Sequence, residues 1–183
     1  MITARFVRSA AHARLVTPDA SMSLAEDAPA SSLMTDFAVT PAASVPADRH
    51  VDAALNDMIL AGVRALVVMS NDEVIGLITV SDIIGEKPIK FLQSPLCTGN
   101  PCKRSEITVG DIMARLGWLE TLELCWVLQA TAADLASVFA STPYTHMFVM
   151  DPGNEGGVRA IRGLLSRTRL ERHLGAPTRM LLG

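Results

Sequence analysis

A repeated order of apolar segments, offset by 81 residues, is the feature that most constrains how this chain can fold. Residues 51–62 carry apolar side chains at helical spacing, and a short apolar run follows at residues 65–69. The same order returns in residues 125–150, which align with residues 44–69 without a gap. Only Val149 and Met150 match their aligned counterparts, so the pattern repeats while the residues themselves differ. The pattern predicts two similar structural units.

Each unit is predicted to run strand, helix, strand, strand, helix. In the first unit these are an extended piece at Ser44–Val45, the helix after it, a hairpin of residues 65–69 and 74–79, and a helix from about Ser81 that Pro88 limits or kinks. In the second unit they are a strand from Cys125, a helix opened by Thr131, strands at residues 147–150 and 160–165, and a helix near Ser166. The expected class is α/β (α+β), with two pseudo-symmetric β-α-β-β-α units packed sheet to sheet around a cleft.

These units predict the domain organisation. The expected segments are an N-terminal arm or linker (1–32), unit 1 (33–93), a linker (94–106), unit 2 (107–174) and a C-terminal tail (175–183). The arm is assigned because residues 17–32 are rich in Ala, Ser, Asp and Pro.

Composition narrows the partners that such a chain could have. The net charge is −3, whereas a nucleic-acid binder usually carries a basic excess, so no nucleic-acid partner is expected. No apolar run approaches 18 residues, so no membrane partner is expected either. Apolar residues make up 49% of the 183, which suggests burial of surface against another subunit.

The cysteines and the N-terminus bear on the compartment. Three cysteines, an odd and low count, argue against a disulfide framework and for a reducing compartment, and no zinc-ligand spacing accompanies them. Residues 1–16 contain Arg5, Arg8 and Arg14 but no acid, which fits a basic helix or a transit peptide. The expected location is the cytoplasm, with the mitochondrial matrix as the alternative if this segment is a transit peptide.

Short motifs add a family resemblance. Residues 76–83, Gly-Leu-Ile-Thr-Val-Ser-Asp-Ile, resemble the CBS-domain signature of a glycine, an apolar strand, Thr or Ser, and an Asp three residues on. Met34-Thr35 and residues 109–113 resemble the start of a CBS repeat. The resemblance spans about residues 33–174 and implies a CBS-domain pair, or Bateman module.

The resemblance implies a regulatory function. Such modules commonly bind AMP, ADP, ATP or S-adenosylmethionine between their units, often form flat dimers, and regulate another protein. We therefore expect a stand-alone sensor of an adenosine-containing ligand, such as an energy sensor, that is a homodimer, signals by conformational or oligomeric change to an unidentified protein, and needs no cofactor. The alternative is a ligand-free dimerisation or protein-interaction module. No catalytic or metal-binding motif is present, so an enzyme is not expected.

The resemblance also implies ligand-binding residues in the first unit. A carboxylate can accept from both ribose hydroxyls, which fits Asp82, while the hydroxyls of Thr79 and Ser81 lie beside helix-terminal N–H groups that favour phosphate. Backbone groups near Phe37 and Ala38, and near Arg64 and Ala65, are expected to read the adenine edge, although Arg64 alternatively faces phosphate. A plain alternative is that Asp82 only caps its helix.

The second unit departs from the signature. Arg169 stands where unit 1 has Asp82, and an arginine binds phosphate rather than ribose hydroxyls. This site is therefore either degenerate or suited to a more phosphate-rich ligand. Its candidate residues are Trp118, which could stack on a base, with His146, Ser166, Thr168 and Arg169. Alternatively the arginines from Arg159 to Arg172 form a solvated helix face, and Trp118 belongs to the core or to a dimer interface.

Overall fold

Two four-stranded sheets dominate the computed structural model, which describes residues 26–97, 103–153 and 159–175. The expectations for the arm up to residue 25, for residues 98–102 and 154–158, and for the tail from residue 176 lie outside the described residues. The elements of the first half are a 3-10 helix (Ala30–Leu33), β1 (Thr35–Asp36), β2 (Ser44–Pro46), α1 (Val51–Ala61), β3 (Ala65–Ser70), β4 (Glu73–Thr79), α2 (Val80–Ile84) and α3 (Lys87–Leu92). The elements of the second half are a 3-10 helix (Arg104–Glu106), α4 (Val109–Ile112), β5 (Ala114–Arg115), a 3-10 helix (Leu116–Trp118), β6 (Thr121–Glu123), α5 (Leu124–Gln129), α6 (Ala132–Ala140), β7 (His146–Asp151), β8 (Ala160–Ser166) and α7 (Arg167–His173).

The first half folds locally as its sequence predicts. α1 buries Ala54 and Met58 and ends at Gly62, whose φ of +65° suits a residue without a side chain. The β3–β4 hairpin turns through Asn71 and Asp72, both with positive φ, as a two-residue turn between twisted strands requires. One local prediction was wrong. Pro88 neither limits nor kinks α2, which ends at Ile84, but lies in the first turn of the separate helix α3, where its missing N–H costs no hydrogen bond.

The second half contains an additional helix. Thr131 caps α6 as predicted, but the strand expected from Cys125 is displaced. Its place is taken by β6, whose Thr121 pairs with Phe148, whereas Ser44 of β2 pairs with Val67. The apolar stretch after β6 forms α5 because helical spacing lets it bury one face against the core, with Val127 fully enclosed. The gap-free alignment of the two halves therefore holds over α6 and β7 and fails before them.

Each half begins with a lead-in segment that packs on the other half. These segments are residues 26–36 in the first half and residues 107–115 in the second. β1 pairs antiparallel with β8 in the second sheet, and β5 pairs antiparallel with β4 in the first sheet. Residues 26–34 accompany β1, and Ala30 is fully buried in the core of the second half. Ile107, Val109 and Ile112 are correspondingly buried in the core of the first half. Residues 26–32, expected to be a linker, are thus part of the packed fold.

Two glycines allow the exchanged strands to approach. A Cβ atom at Gly163 would lie 2.6 Å from the carbonyl oxygen of Thr35 in β1, and one at Gly76 would overlap the carbonyl oxygen of Ala114 in β5. Gly76 is the first residue of the signature-like stretch. Position 76 therefore requires a glycine for a steric reason, because β5 from the other half packs directly against it.

The two sheets pack face to face, as predicted. Ala65, Val67 and Leu77 of the first sheet form one buried cluster with Phe148 of the second. The outer faces of the sheets are covered by helices, which enclose two further cores. No helix in the described ranges is both long enough and apolar enough to cross a bilayer.

The cysteines differ from expectation. Cys97 is disulfide-bonded, whereas Cys125 is free and exposed. The cysteine count was an argument against a disulfide framework and for a reducing compartment. Because disulfides are rare in reducing compartments, the bonded state of Cys97 counts against the second inference.

Candidate functional site: two clefts between the halves

A cleft rich in arginine lies where β1 meets the start of β3 and the end of β8. Its volume is about 310 Å3, at the lower end of the range for small-molecule pockets, which is roughly 300–1,000 Å3. We call it the arginine cleft; its lining residues are Thr35, Phe37, Thr40, Pro41, Ala43, Gly62, Val63, Arg64, Ala65, Val67, His146, Leu164, Ser166, Thr168, Arg169 and Arg172.

The charges of the arginine cleft are all positive. Arg64, Arg169 and Arg172 are exposed at its rim, and no Asp or Glu occurs among the described residues that line it. Arg169 makes only long contacts, at 3.4 Å to Oγ1 of Thr35 and 3.3 Å to the carbonyl oxygen of Ser32. The cleft thus combines an apolar floor with guanidinium groups that can donate to a phosphate or a carboxylate.

Two neighbouring arginines have structural partners instead. Arg162 binds the carboxylate of Asp36 through two N–H groups, at 2.7 and 2.9 Å, and these hydrogen bonds hold the pKa of Asp36 below its usual value. Arg167 donates to the carbonyl oxygens of Phe139 and Thr142 at the end of α6. Arg162 therefore fastens β1 to β8, and Arg167 fastens α7 to α6.

A second cleft is centred on Asp82. Its volume is about 290 Å3. We call it the aspartate cleft; its lining residues are Leu77, Thr79, Ser81, Asp82, Lys87, Ala114, Leu119, Pro143, Tyr144, Thr145 and His146. Like the arginine cleft, it is built from both halves, because β5 and the segment before β7 form the wall opposite Asp82.

The carboxylate of Asp82 already has partners. Its Oδ2 accepts from the backbone N–H and the hydroxyl of Thr79, both at 2.8 Å, in a capping box that begins α2. Its Oδ1 lies 2.8 Å from Nζ of Lys87, and the side chain is only 17% exposed. Asp82 is thus a helix cap, as the plain alternative held, and also the acidic wall of a cleft.

His146 lies between the two clefts. It is the first residue of β7 and lines both cavities, and its Nδ1 lies 3.0 Å from the hydroxyl oxygen of Thr145. The pKa of His146 is lowered to about 4, chiefly by burial; the charge of Asp82 opposes the shift and that of Arg64 adds to it. The imidazole is therefore neutral at pH 7, where one ring nitrogen donates and the other accepts.

The strand exchange regroups the predicted site residues. Phe37, Arg64 and Ala65 were expected beside Asp82, but they line the arginine cleft. Ser166, Thr168 and Arg169, expected in a separate second site, line this same cleft. Thr79, Ser81 and Asp82 do lie together, but opposite second-half residues. The grouping by sequence unit was wrong for two reasons. β1 carries Phe37 to the second half, and the start of β3, with Arg64 and Ala65, lines a different cleft from Asp82 at the start of α2.

Two predicted residues lie in neither cleft. Ala38 is exposed, and its backbone N–H donates to Oδ1 of Asp36 at 2.9 Å, while the N–H of Phe37 donates to the carbonyl oxygen of Arg162. Those N–H groups are thus not free to read an adenine edge. Trp118 is 77% exposed and lies in a groove beside the aspartate cleft, so it is neither core nor cleft wall.

Sequence reasoning missed two groups that the structure brings into the clefts. Lys87, the direct partner of Asp82, follows it by five residues, a spacing that ordinary helical neighbours do not use. Thr145 and Tyr144 precede β7 and face Asp82 across the aspartate cleft. The signal that could have identified Lys87 was the break between α2 and α3 at Gly85. Among the described residues, no cluster of His, Cys, Asp and Glu could hold a metal ion.

Comparison with protein families agrees with this architecture. Residues 30–88 match the CBS domain family model. No curated protein sequence is significantly similar to the chain.

Solved structures share the fold over most of the chain. The CBS-pair protein CBSX2 from Arabidopsis thaliana matches with a TM-score of 0.51 and 20% identity, covering 79% of this chain and 92% of that one. CBSX2 in complex with AMP matches with a TM-score of 0.54 and 20% identity, covering 79% and 94%. An uncharacterised conserved protein from Pyrococcus horikoshii matches with a TM-score of 0.54 and 23% identity, covering 81% and 93%. Residues 30–88 therefore form a CBS domain, and the chain as a whole has the fold of a CBS-domain pair.

Proposed function

We propose that this chain is a regulatory module that binds an adenine nucleotide or a related adenosyl ligand between its halves. The observation that carries the proposal is the arginine cleft, where Arg64, Arg169 and Arg172 surround an apolar floor with no acid in the described lining. An adenine needs an apolar slot, and a phosphate needs guanidinium donors. CBSX2, a structural relative, forms a complex with AMP, which supports the same class of ligand here.

The arginine cleft is the proposed site for the phosphate-bearing part of the ligand. Arg169 and Arg172 lie on α7, so their guanidinium groups can reach a phosphate beside the hydroxyls of Ser166 and Thr168. Phe37 also lines this cleft, where its ring can contact a base. The altered signature of the second unit then reflects a site suited to phosphate.

The aspartate cleft is the proposed second site. The carboxylate of Asp82 can accept ribose hydroxyls only if its Oδ1 releases Nζ of Lys87, since Oδ2 already accepts the hydrogen bonds that cap α2. Ligand binding at either cleft alters contacts between the two halves, because both clefts have walls from each. Such a change is how the module would signal to an unidentified regulated protein, and no catalytic step is part of the proposal.

A thermal-shift panel tests this function. AMP, ADP, ATP, NADH and S-adenosylmethionine are each added at millimolar concentration. A ligand at 100 times its Kd adds about 2.7 kcal/mol to the free energy of unfolding, which for a domain of this size raises Tm by several degrees.

Matched arginine variants locate the binding site. Arg169→Gln should lower the affinity for the stabilising nucleotide about tenfold by removing a charged donor. Arg159→Gln should not, because Arg159 is exposed and lines neither cleft. No rise in Tm with any of the five compounds would reject the proposal.

An interaction module that binds no nucleotide is the second candidate function. Leu60 is 86% exposed, and Ile59 and Ile84 are also exposed on the outer helices of the first half. An exposed patch of large apolar side chains is typical of a protein–protein interface. We propose that this surface contributes to a homodimer, which is compatible with either candidate function.

A further inference from the structure

A groove beside the aspartate cleft has the chemistry of a ligand site of its own. It has a volume of about 470 Å3 and lies between α3, α4 and the 3-10 helix that ends at Trp118. We call it the Trp118 groove. Lys87, Ala114, Leu119 and Tyr144 line both the groove and the aspartate cleft, so the two cavities adjoin at these side chains.

The lining of the groove presents an aromatic ring with a cation. The Trp118 side chain is 77% exposed, and the guanidinium carbon of Arg115 lies 5.8 Å from its ring centroid. Its backbone carbonyl oxygen accepts a hydrogen bond from the hydroxyl of Tyr144 at 3.2 Å, which holds the segment against the cleft wall. An exposed indole fixed in this way can stack on a planar ring.

The charges that line the groove favour an anion. Lys87, Lys90 and Arg115 are its three cations. The single acid in the described lining, Asp111, directs its Oδ2 to the backbone N–H and hydroxyl of Thr108, each at 2.8 Å. Lys90 is paired with Glu86 only on the exposed surface, where such pairs are weak.

Lys87 connects the anion-binding region of the groove with the aspartate cleft. Its Nζ now holds Oδ1 of Asp82 at 2.8 Å. A phosphate in the groove would offer Nζ a second anion, and the exchange would free Oδ1 to accept a hydroxyl. An anion and a hydroxyl-bearing group arriving on one ligand would each favour the binding of the other.

We propose that the aspartate cleft and the Trp118 groove together bind one two-ended ligand. Its hydroxyl-bearing sugar lies at Asp82, its anionic linker at Lys87 and its second planar ring on Trp118. A dinucleotide has these three parts in this order, so the chemical class is a dinucleotide. The inference rests on the proposed function, because it uses Asp82 as the acceptor for ribose.

Calorimetry tests the inference with NAD⁺ and diadenosine tetraphosphate as two-ended probes and AMP as the one-ended probe. Trp118→Ala should weaken both dinucleotides about tenfold, as loss of one base–aromatic stack does, and leave AMP unchanged. Lys87→Met should also weaken the dinucleotides. Arg159→Gln is the matched control, because Arg159 is exposed and lines neither of the clefts nor the groove.

Fluorescence supplies an independent measurement. Trp126→Phe leaves Trp118 as the only tryptophan, since the chain has two. NAD⁺ should then quench the remaining emission, and Asp82→Asn should abolish the quenching. If AMP binds but neither dinucleotide is affected by Trp118→Ala, the two-ended site is wrong and the proposed function stands. If none of the three compounds binds, the proposed function fails and this inference fails with it.

Discussion

The Nζ atom of Lys87 lies 2.8 Å from Oδ1 of Asp82 and 3.1 Å from the backbone carbonyl oxygen of Ile112. Lys87 belongs to α3 of the first half, and Ile112 is the last residue of α4, in the lead-in segment of the second. The ammonium group of Lys87 thus joins the capping carboxylate of α2 to the lead-in segment of the second half. A ligand that takes Asp82 from Lys87 would loosen this connection.

Replacement of Lys87 by Met should separate the two roles of that lysine. The free energy of unfolding should fall by about 1 kcal/mol, because a partly buried carboxylate loses its counter-ion. Affinity for adenosine, which carries no phosphate, should rise because the ribose hydroxyls no longer compete with Nζ. Chemical denaturation and calorimetry give the two quantities. A fall in adenosine affinity would contradict competition at Asp82.

Replacement of Asp82 by Ala should weaken nucleotide binding at the aspartate cleft about tenfold or more, through loss of a charged acceptor. Asp134→Ala is the matched control. Asp134 accepts from Thr131 in a capping box of the same geometry, but it lines neither cleft. Both variants should lose about 1 kcal/mol of stability with the cap. If calorimetry gives equal nucleotide affinities for the two variants, Asp82 caps its helix and does not bind the ligand.

Alanine at either crossing glycine should destabilise the fold. Gly163→Ala and Gly76→Ala place a Cβ against the backbone of β1 and of β5, so each should lower the free energy of unfolding by about 1–3 kcal/mol. Gly117→Ala should change it little, since no atom lies within 4 Å of the added Cβ. Denaturant-induced unfolding gives the free energy of unfolding of each of the three variants. Equal stability of all three variants would mean that the exchanged strands do not approach as closely as described.

Stability should fall as pH falls from about 6.5 towards 4, because His146 stays neutral in the folded chain while it gains a proton in the unfolded chain. The pKa of His146 is lowered to about 4, so the unfolded state binds more protons throughout that window. The loss should approach roughly 3 kcal/mol at most. In His146→Asn this contribution should be absent. Unfolding free energies at several pH values provide the comparison, and parallel curves for the two proteins would contradict it.

A charged residue at position 60 should disrupt the proposed dimer. Leu60 is 86% exposed on α1, while Ala54 and Met58 of the same helix are buried, so Leu60→Asp leaves the core unchanged. We expect sedimentation analysis to show a dimer for the original chain and a monomer for Leu60→Asp, with equal thermal stability of the subunit. Leu128→Asp, on the second half, serves as the control for an exposed leucine. A monomer in every case would reject the dimer.

The local elements of this protein follow from short-range chemistry. Helix α1 and its end at Gly62, the turn at Asn71 and Asp72, and the cap of α6 at Thr131 were predictable because each depends on residues within four positions. The face-to-face packing of the sheets also followed, because two aliphatic sheets of this size must bury their faces. The stretch after Glu123 was mistaken for a strand, since a short apolar run fits both the helical and the strand periodicity. Only the packing of Val127 in the core selects the helix.

The sequence by itself determined the two units, their order of elements and the identity of Asp82 and Arg169 as the charged residues that distinguish them. Only the tertiary structure decided which residues share a cleft. β1 crosses to β8, so Phe37 shares a cleft with Arg169, and β5 crosses to β4, so Ala114 shares a cleft with Asp82. The physical reason is that strand pairing joins backbones that are more than 30 residues apart, and backbone hydrogen bonds carry no residue-specific signal along the chain.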